Sequence, residues 1–196
     1  MAMQYDVWAV TPALVADDNF YVTSVTPAGA GDLTLAATTP SVNGCGYKVV
    51  LTTAADESAV NFTIVGTGVN GLPITETFAG PSSATTKLST NYFASVSSIS
   101  VDDGTAAAII FGYSANFAIP RARIKGFYFT GATNAGSVVV TRASDSKVLL
   151  NIATPAGTGT SGSLYMPAEG ILVSTGINDY ATVTITSVAS VTLVCG

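Results

Sequence analysis

Apolar and polar residues alternate along most of this chain, in short segments that end at glycine, proline or asparagine. In residues 60–65, for example, Phe62 and Ile64 fall on one face of an extended chain. A period of two is the pattern of a β-strand with one buried face. No window shows the period of 3.6 residues that indicates a helix. The pattern therefore predicts an all-β chain.

The same pattern predicts a series of short strands joined by turns. Asn70-Gly71 is the clearest turn, because both residues readily adopt the positive φ angles of a tight hairpin. Short strands at steady spacing are typical of a β-sandwich or barrel. The predicted strands are residues 5–10, 20–25, 32–37, 47–53, 60–65, 74–78, 88–93, 96–101, 106–113, 123–130, 137–142, 147–152, 163–166, 170–174, 180–186 and 190–194.

Pro120 marks the point at which the chain divides. Proline has no N–H for a sheet ladder, so one strand ends just before it and a basic strand opens at Arg121. We predict two small β-sandwich or barrel domains in tandem, Ig-like or jelly-roll-like. They cover residues 31–118 and 119–196, and residues 1–30 form a leading segment that we interpret as a docking arm.

The two predicted domains differ in charge. Residues 1–118 carry two lysines against nine acids, a net charge of −7, whereas residues 119–196 carry five bases against three acids, a net charge of +2. An acidic half repels phosphate, so we expect no nucleic-acid partner. Charged residues make up only 10% of the chain, against about 25% in typical soluble proteins. Such a surface suits a protein that packs against other chains; the alternative is a Ser/Thr-rich β protein that is simply neutral outside.

Arg121, Arg123 and Lys125 alternate along the predicted basic strand and therefore share one face. Three interpretations stay open: the stripe docks on an acidic partner, it is a solvated edge that discourages aggregation, or it contacts the acidic half of the same chain. Trp8 is the only tryptophan, and we interpret it as a core or interface anchor rather than a ligand platform. These four residues are the candidate protein interface.

The sequence contains no catalytic constellation. It has no histidine, the commonest general base and metal ligand, and no Gly-x-Ser-x-Gly nucleophile motif. Glu76 and Glu169, considered as an acid–base pair, fall in different predicted domains, so we do not expect them to face each other across a sugar. We therefore predict that the protein is not an enzyme.

Neither a cofactor nor a metal site is predicted. Gly66-Thr67-Gly68 resembles part of a phosphate-binding loop, but Pro73 and an alternating strand follow it instead of a helix. The acidic pairs Asp102-Asp103 and Asp17-Asp18 each supply fewer oxygens than the roughly six to eight of a good calcium site. Roles in turns are the favoured interpretation of both pairs.

The cysteines and the N-terminus indicate where the chain is made. Cys45 and Cys195 lie one in each half and are expected to be free thiols, although a disulfide between them stays open. No apolar run reaches the ~20 residues that span a bilayer. Residues 1–6 lack the basic and apolar regions of a signal peptide. We expect production in the cytoplasm and no membrane partner.

Two parts of the sequence resemble virion proteins. Residues 64–81 (IVGTGVNGLPITETFAGP) and 93–101 (FASVSSISV) resemble β-sandwich domains common in structural proteins of tailed bacteriophages. Residues 124–138 (IKGFYFTGATNAGSV), 167–173 (PAEGILV) and 188–196 (VASVTLVCG) are similar to another small phage virion domain. These motifs indicate virion proteins as a class and no particular position in the particle.

The resemblance implies a non-enzymatic structural component of a phage particle, assembled in the cytoplasm of the bacterial host. Our first hypothesis is a protein that decorates or cements the capsid exterior, with the major capsid protein or other virion proteins as partners and with homo-oligomers as a further expectation. One alternative is a head–tail connector or tail component. Another is a carbohydrate- or receptor-binding β module, in which Tyr165 or Tyr180 would supply an exposed aromatic ring.

Overall fold

The computed structural model describes residues 8–10, 16–40, 45–120, 122–166, 170–173 and 179–195. These residues form antiparallel β-strands and no helix, which confirms the all-β prediction. The strands are β1 (Trp8–Val10), β2 (Asp17–Val25), β3 (Gly31–Asp32), β4 (Gly46–Thr53), β5 (Asn61–Gly68), β6 (Pro73–Ala79), β7 (Thr86–Val101), β8 (Ile109–Ile119), β9 (Arg123–Gly131), β10 (Gly136–Arg142), β11 (Val148–Thr154), β12 (Ser161–Tyr165), β13 (Ile171–Leu172), β14 (Ala181–Thr186) and β15 (Val188–Cys195).

The described residues divide into two compact units. The first unit lies within residues 15–115, and the second unit consists of residues 8–10 and 116–195. Strand β8 contributes its beginning to the first unit and its end, from Asn116 onward, to the second. The expected leading segment, residues 1–30, is shared: β2 belongs to the first unit, and β1 pairs with β15 in the second.

In the first unit the strands follow the order β2-β8-β4-β7-β5-β6, and β3 also pairs with β7. Strand β7 pairs with β4 over its first half and with β5 over its second half. The sequence predicted two strands here, 88–93 and 96–101; they form one strand because the chain changes partner without turning. The largest fully buried side chains of this unit are Tyr21, Tyr47, Leu51, Phe62, Ile64, Phe93, Ile99, Ile109 and Phe111.

The predicted hairpin between β5 and β6 is present, with its turn at Asn70-Gly71. Gly71 has a φ of 79°, and the N–H of Leu72 donates to the Asn70 side chain at 3.1 Å. Gly66 lies where the register between β5 and β7 shifts, and a Cβ there would overlap the carbonyl of Ser95. In the Gly-x-Gly sequence, Gly66 therefore allows β5 and β7 to pack closely.

One predicted strand, residues 32–37, is mostly irregular. Only β3 (Gly31–Asp32) is a strand in this stretch. Leu33 then donates one backbone hydrogen bond of 2.8 Å to β7, and Ala36 donates one of 2.7 Å to β2. The segment crosses from one strand to another, so it never follows a single partner long enough to build a ladder.

A buried carboxylate ties together three loops of the first unit. Glu57 is only 2% exposed, and its carboxylate accepts the backbone N–H groups of Ala106 and Ala107 at 3.0 and 2.9 Å. The N–H of Glu57 donates to the carbonyl of Pro81 at 2.8 Å. A buried charge is tolerated when hydrogen bonds replace its lost hydration. Glu57 therefore has a structural role. The sequence alone did not indicate this role, because there Glu57 counts only as one of the nine acids of residues 1–118.

The second unit contains two antiparallel sheets. One sheet has the order β1-β15-β9-β12, with β13 also paired to β9, and the other runs from β11 through β10 and β14 to the end of β8. This arrangement is sandwich-like. Both sheets contribute fully buried side chains, among them Phe117, Ile119, Ile124, Phe127, Val138, Val140, Val183 and Leu193.

Candidate functional site

Strand β9 brings hydroxyl side chains together on one face of the second unit. It lies between β12 and β15, and Tyr128 is opposite Ser163 on one side and Thr192 on the other. Residues directly opposite each other in a sheet project from the same face. We call this group the hydroxyl face; its members are Tyr128, Thr130, Ser161, Ser163, Ser190 and Thr192.

A β-bulge decides which side chains of β9 reach this face. Ile124 and Phe127 are both fully buried although they are three residues apart, and the register with β15 shifts beside them. In an unbroken strand the residues 124, 126 and 128 would share one face. The extra residue turns Tyr128 outward and Phe127 into the core. The alternation in the sequence did not indicate this shift.

The hydroxyl face forms an open hollow of about 380 Å³, whose lining also includes Phe129 and Gly162. None of the described residues that line the hollow is charged. The side-chain hydroxyls of Thr130, Ser161 and Ser163 make no hydrogen bond to other described residues. These groups therefore keep their donors and acceptors for solvent or a ligand.

Tyr128 lines the hollow, and Tyr165, on the neighbouring strand β12, contacts the ring of Tyr128. Tyr165 is 70% exposed and Tyr128 is 37% exposed, and their rings are perpendicular with centroids 5.7 Å apart. Their hydroxyls contact each other, and this hydrogen bond raises the pKa of Tyr128. Tyr165 is one of the two aromatics that the carbohydrate- or receptor-binding alternative would use, and it is exposed. The other, Tyr180, is half-buried, and burial followed by the nearby Asp179 charge raises its pKa.

The structure describes only part of the candidate protein interface. Arg123 and Lys125 are half-buried residues of β9; Arg123 precedes the bulge, and Lys125 is its extra residue, between Ile124 and Gly126. Arg121 lies outside the described residues. Trp8 lies in β1 opposite Cys195, and its side chain is outside the described part of the chain. Partner binding by these four residues stays a prediction.

Several of the described acidic residues, including Glu76 and Asp102, have structural partners. Glu76 accepts the backbone N–H groups of Thr90 and Asn91 at 2.6 and 2.9 Å, so its carboxylate braces β7. Asp102 accepts both the backbone N–H and the side-chain amide of Asn61 at 2.7 Å, which lowers the pKa of Asp102. Glu169 lies outside the described residues. Nowhere in the described ranges do three His, Cys, Asp or Glu side chains come together as a metal site.

Cys45 and Cys195 are both buried, and no disulfide joins them. Cys45 belongs to the first unit and Cys195 to β15 of the second. Burial raises the pKa of the Cys195 thiol to about 12. A thiol that stays protonated at neutral pH is a poor nucleophile and a poor metal ligand, so Cys195 acts as a small core residue.

The first unit has a larger groove of about 490 Å³ between the end of β2 and residues 29–36. Its described lining consists of aliphatic and small polar residues together with Asp32, and no aromatic ring is among these residues. The hydroxyl face combines a hollow with exposed rings, so it is the better candidate for a small-molecule site.

No protein-family model matches this chain, and no curated protein sequence matches it. The residues that the structure describes include no helix long and apolar enough to cross a membrane.

Proposed function

We propose that this chain is a non-enzymatic structural component of a tailed-bacteriophage particle that decorates or cements the capsid exterior. The observation that carries the proposal is the resemblance of residues 64–81, 93–101 and 124–138 to phage virion domains. The all-β fold and a charged fraction of only 10% support it. A neutral β surface loses little hydration energy when it is covered by another protein.

Such a protein acts by burying surface against its partner. A standard protein interface buries roughly 1,600 Å² in total. A contact repeated around a symmetric shell raises the effective strength of binding far above that of one site. Moderate affinity for the major capsid protein is therefore sufficient, and no reacting group is needed.

The copy number of the chain per particle tests this function. Quantitative mass spectrometry of purified particles, with the major capsid protein as the internal standard, should find copies equal to the capsid subunits or to a simple symmetric fraction of them. A small number that matches one ring would move the function to a head–tail connector or tail component. Absence from the particle would refute the virion proposal.

The candidate interface on β9 is tested by charge reversal. Arg123→Glu combined with Lys125→Glu should weaken capsid binding, because an acidic partner surface would then meet like charges. Lys147→Glu is the matched control, since Lys147 is an exposed base of the same unit outside the stripe. Deleting residues 1–28 would be a poor test of the docking arm, because the deletion also removes Tyr21, which is fully buried in the first unit. Binding that survives the double reversal would exclude Arg123 and Lys125 from the interface.

A further inference from the structure

We propose that the hydroxyl face and Tyr165 form a binding site for a neutral saccharide. The inference goes beyond the virion role and does not depend on it, because it rests only on the surface of the second unit. Three observations carry it: a hollow of suitable size, the hydroxyls of Thr130, Ser161, Ser163 and Ser190, which have no partner among the described residues, and exposed aromatic rings beside them.

The hydroxyls of the site can form hydrogen bonds with the hydroxyl groups around the edge of a sugar ring. Each sugar hydroxyl both donates and accepts a hydrogen bond, and so does each Ser and Thr hydroxyl. Thr130, Ser161, Ser163 and Ser190 have no hydrogen-bond partner for these groups among the described residues. They come from three neighbouring strands, so the backbone ladders hold their spacing. A rigid array of this kind binds at a low cost in conformational entropy.

The tyrosine rings can stack on the apolar face of a sugar ring. A pyranose ring presents C–H groups on its faces, and an aromatic ring offers a flat apolar surface with a negative π face to cover them. The ring of Tyr165 is 70% exposed, and its perpendicular contact with Tyr128 orients it beside the hollow. An exposed, oriented ring next to free hydroxyls favours a saccharide over a purely apolar ligand.

The size and charge of the hollow narrow the ligand class. Its volume of about 380 Å³ lies at the lower end of the ~300–1,000 Å³ typical of small-molecule sites. A phosphorylated or carboxylated sugar would need a cation in the site to replace its hydration, and the part of the chain that the structure describes places no charged residue in the lining. We therefore assign the site to one or a few neutral sugar units at an end or along a glycan chain.

The experiment uses the full chain and defined neutral probes. Binding is first screened on an array of neutral and acidic glycans. It is then measured by saturation-transfer-difference NMR with neutral trisaccharides of glucose, galactose and N-acetylglucosamine at millimolar concentration, which suits a single shallow site. Tyr165→Ala should weaken binding about tenfold, whereas Tyr165→Phe should retain most of it because the ring remains. Leu164→Ala is the matched control, since Leu164 is also exposed but pairs with the inward-facing Phe127.

Each outcome decides the proposal. Binding of a neutral glycan that is lost in Tyr165→Ala and kept in Leu164→Ala supports it, provided that circular dichroism shows both variants folded. Ser163→Ala removes one hydroxyl and no packing, so it should weaken binding severalfold even if Tyr165→Ala fails to fold. No binding to any neutral glycan, or binding that neither substitution changes, overturns the proposal. Sedimentation tests whether Tyr165 instead mediates self-association. A dimer of the unchanged protein that becomes a monomer in Tyr165→Ala would also overturn the proposal.

Discussion

Replacing Glu57 is the sharpest test of how the first unit is held together. In Glu57→Ala the N–H groups of Ala106 and Ala107 lose a buried carboxylate that accepts both of them at 3.0 and 2.9 Å. A hydrogen bond to a charged group contributes about 1.5–3 kcal/mol. Ala106 is exposed, so water can replace its lost bond. We therefore expect a net loss of about 2–4 kcal/mol.

The assay is urea denaturation combined with amide hydrogen exchange. With a slope of roughly 1–3 kcal/mol per molar urea, a loss of about 3 kcal/mol lowers the midpoint by about 1–3 M. Exchange at the amides of Ala106 and Ala107 should become faster before the rest of the unit is affected, because their bonds to Glu57 are specific. Glu57→Gln keeps one accepting oxygen and should lose about half as much stability.

The control is the neighbouring carboxylate. Asp56 is exposed, and among the described residues its side chain bonds only to Ser58, so Asp56→Asn should leave the midpoint close to that of the unchanged protein. If Glu57→Ala and Asp56→Asn gave the same midpoint and the same amide exchange, the structural role of Glu57 would be refuted.

Three further substitutions test individual groups. Tyr21→Phe removes a fully buried hydroxyl that has no hydrogen-bond partner among the described residues. The free energy of unfolding, measured by thermal unfolding, should therefore be unchanged or higher by up to ~1 kcal/mol. A clear loss of stability would mean that the hydroxyl is hydrogen-bonded. The pKa of Cys195 is raised to about 12, from 9.0 for an exposed thiol, so the unfolded state loses a proton first and stability falls as pH rises above about 9. Cys195→Ala should flatten this fall between about pH 9 and 12, and an unchanged slope would contradict the assignment. The pKa of Asp102 is lowered by the hydrogen bonds from Asn61, so the stability that Asp102 contributes is present above about pH 4 and is lost as pH falls. Asp102→Asn should therefore lose less stability on acidification than the unchanged protein. Identical acid titration curves for the two proteins would argue against this contribution.

Part of the candidate site was predictable from local sequence. Tyr165 was named as a ring that a carbohydrate- or receptor-binding module would use, and strand 123–130 was expected where β9 lies. Tyr128 was missed because it sits between Phe127 and Phe129, where three aromatics in a row conceal the alternation. Only the shift in pairing between β9 and β15 shows that Phe127 is buried and Tyr128 is outside.

The sequence by itself determined the fold class and most strand positions, because alternation and turn residues are local properties of the chain. It identified the hairpin at Asn70-Gly71 and the end of a strand before Pro120, since the backbone preferences of these residues hold in any context. It could not place Glu57 against Ala107, because the two are fifty residues apart in the chain. The hydroxyl face likewise joins β9, β12 and β15, and its members become neighbours only when the sheet order is known. Strand pairing between distant segments brings these groups together, and local sequence carries almost no information about which strands pair.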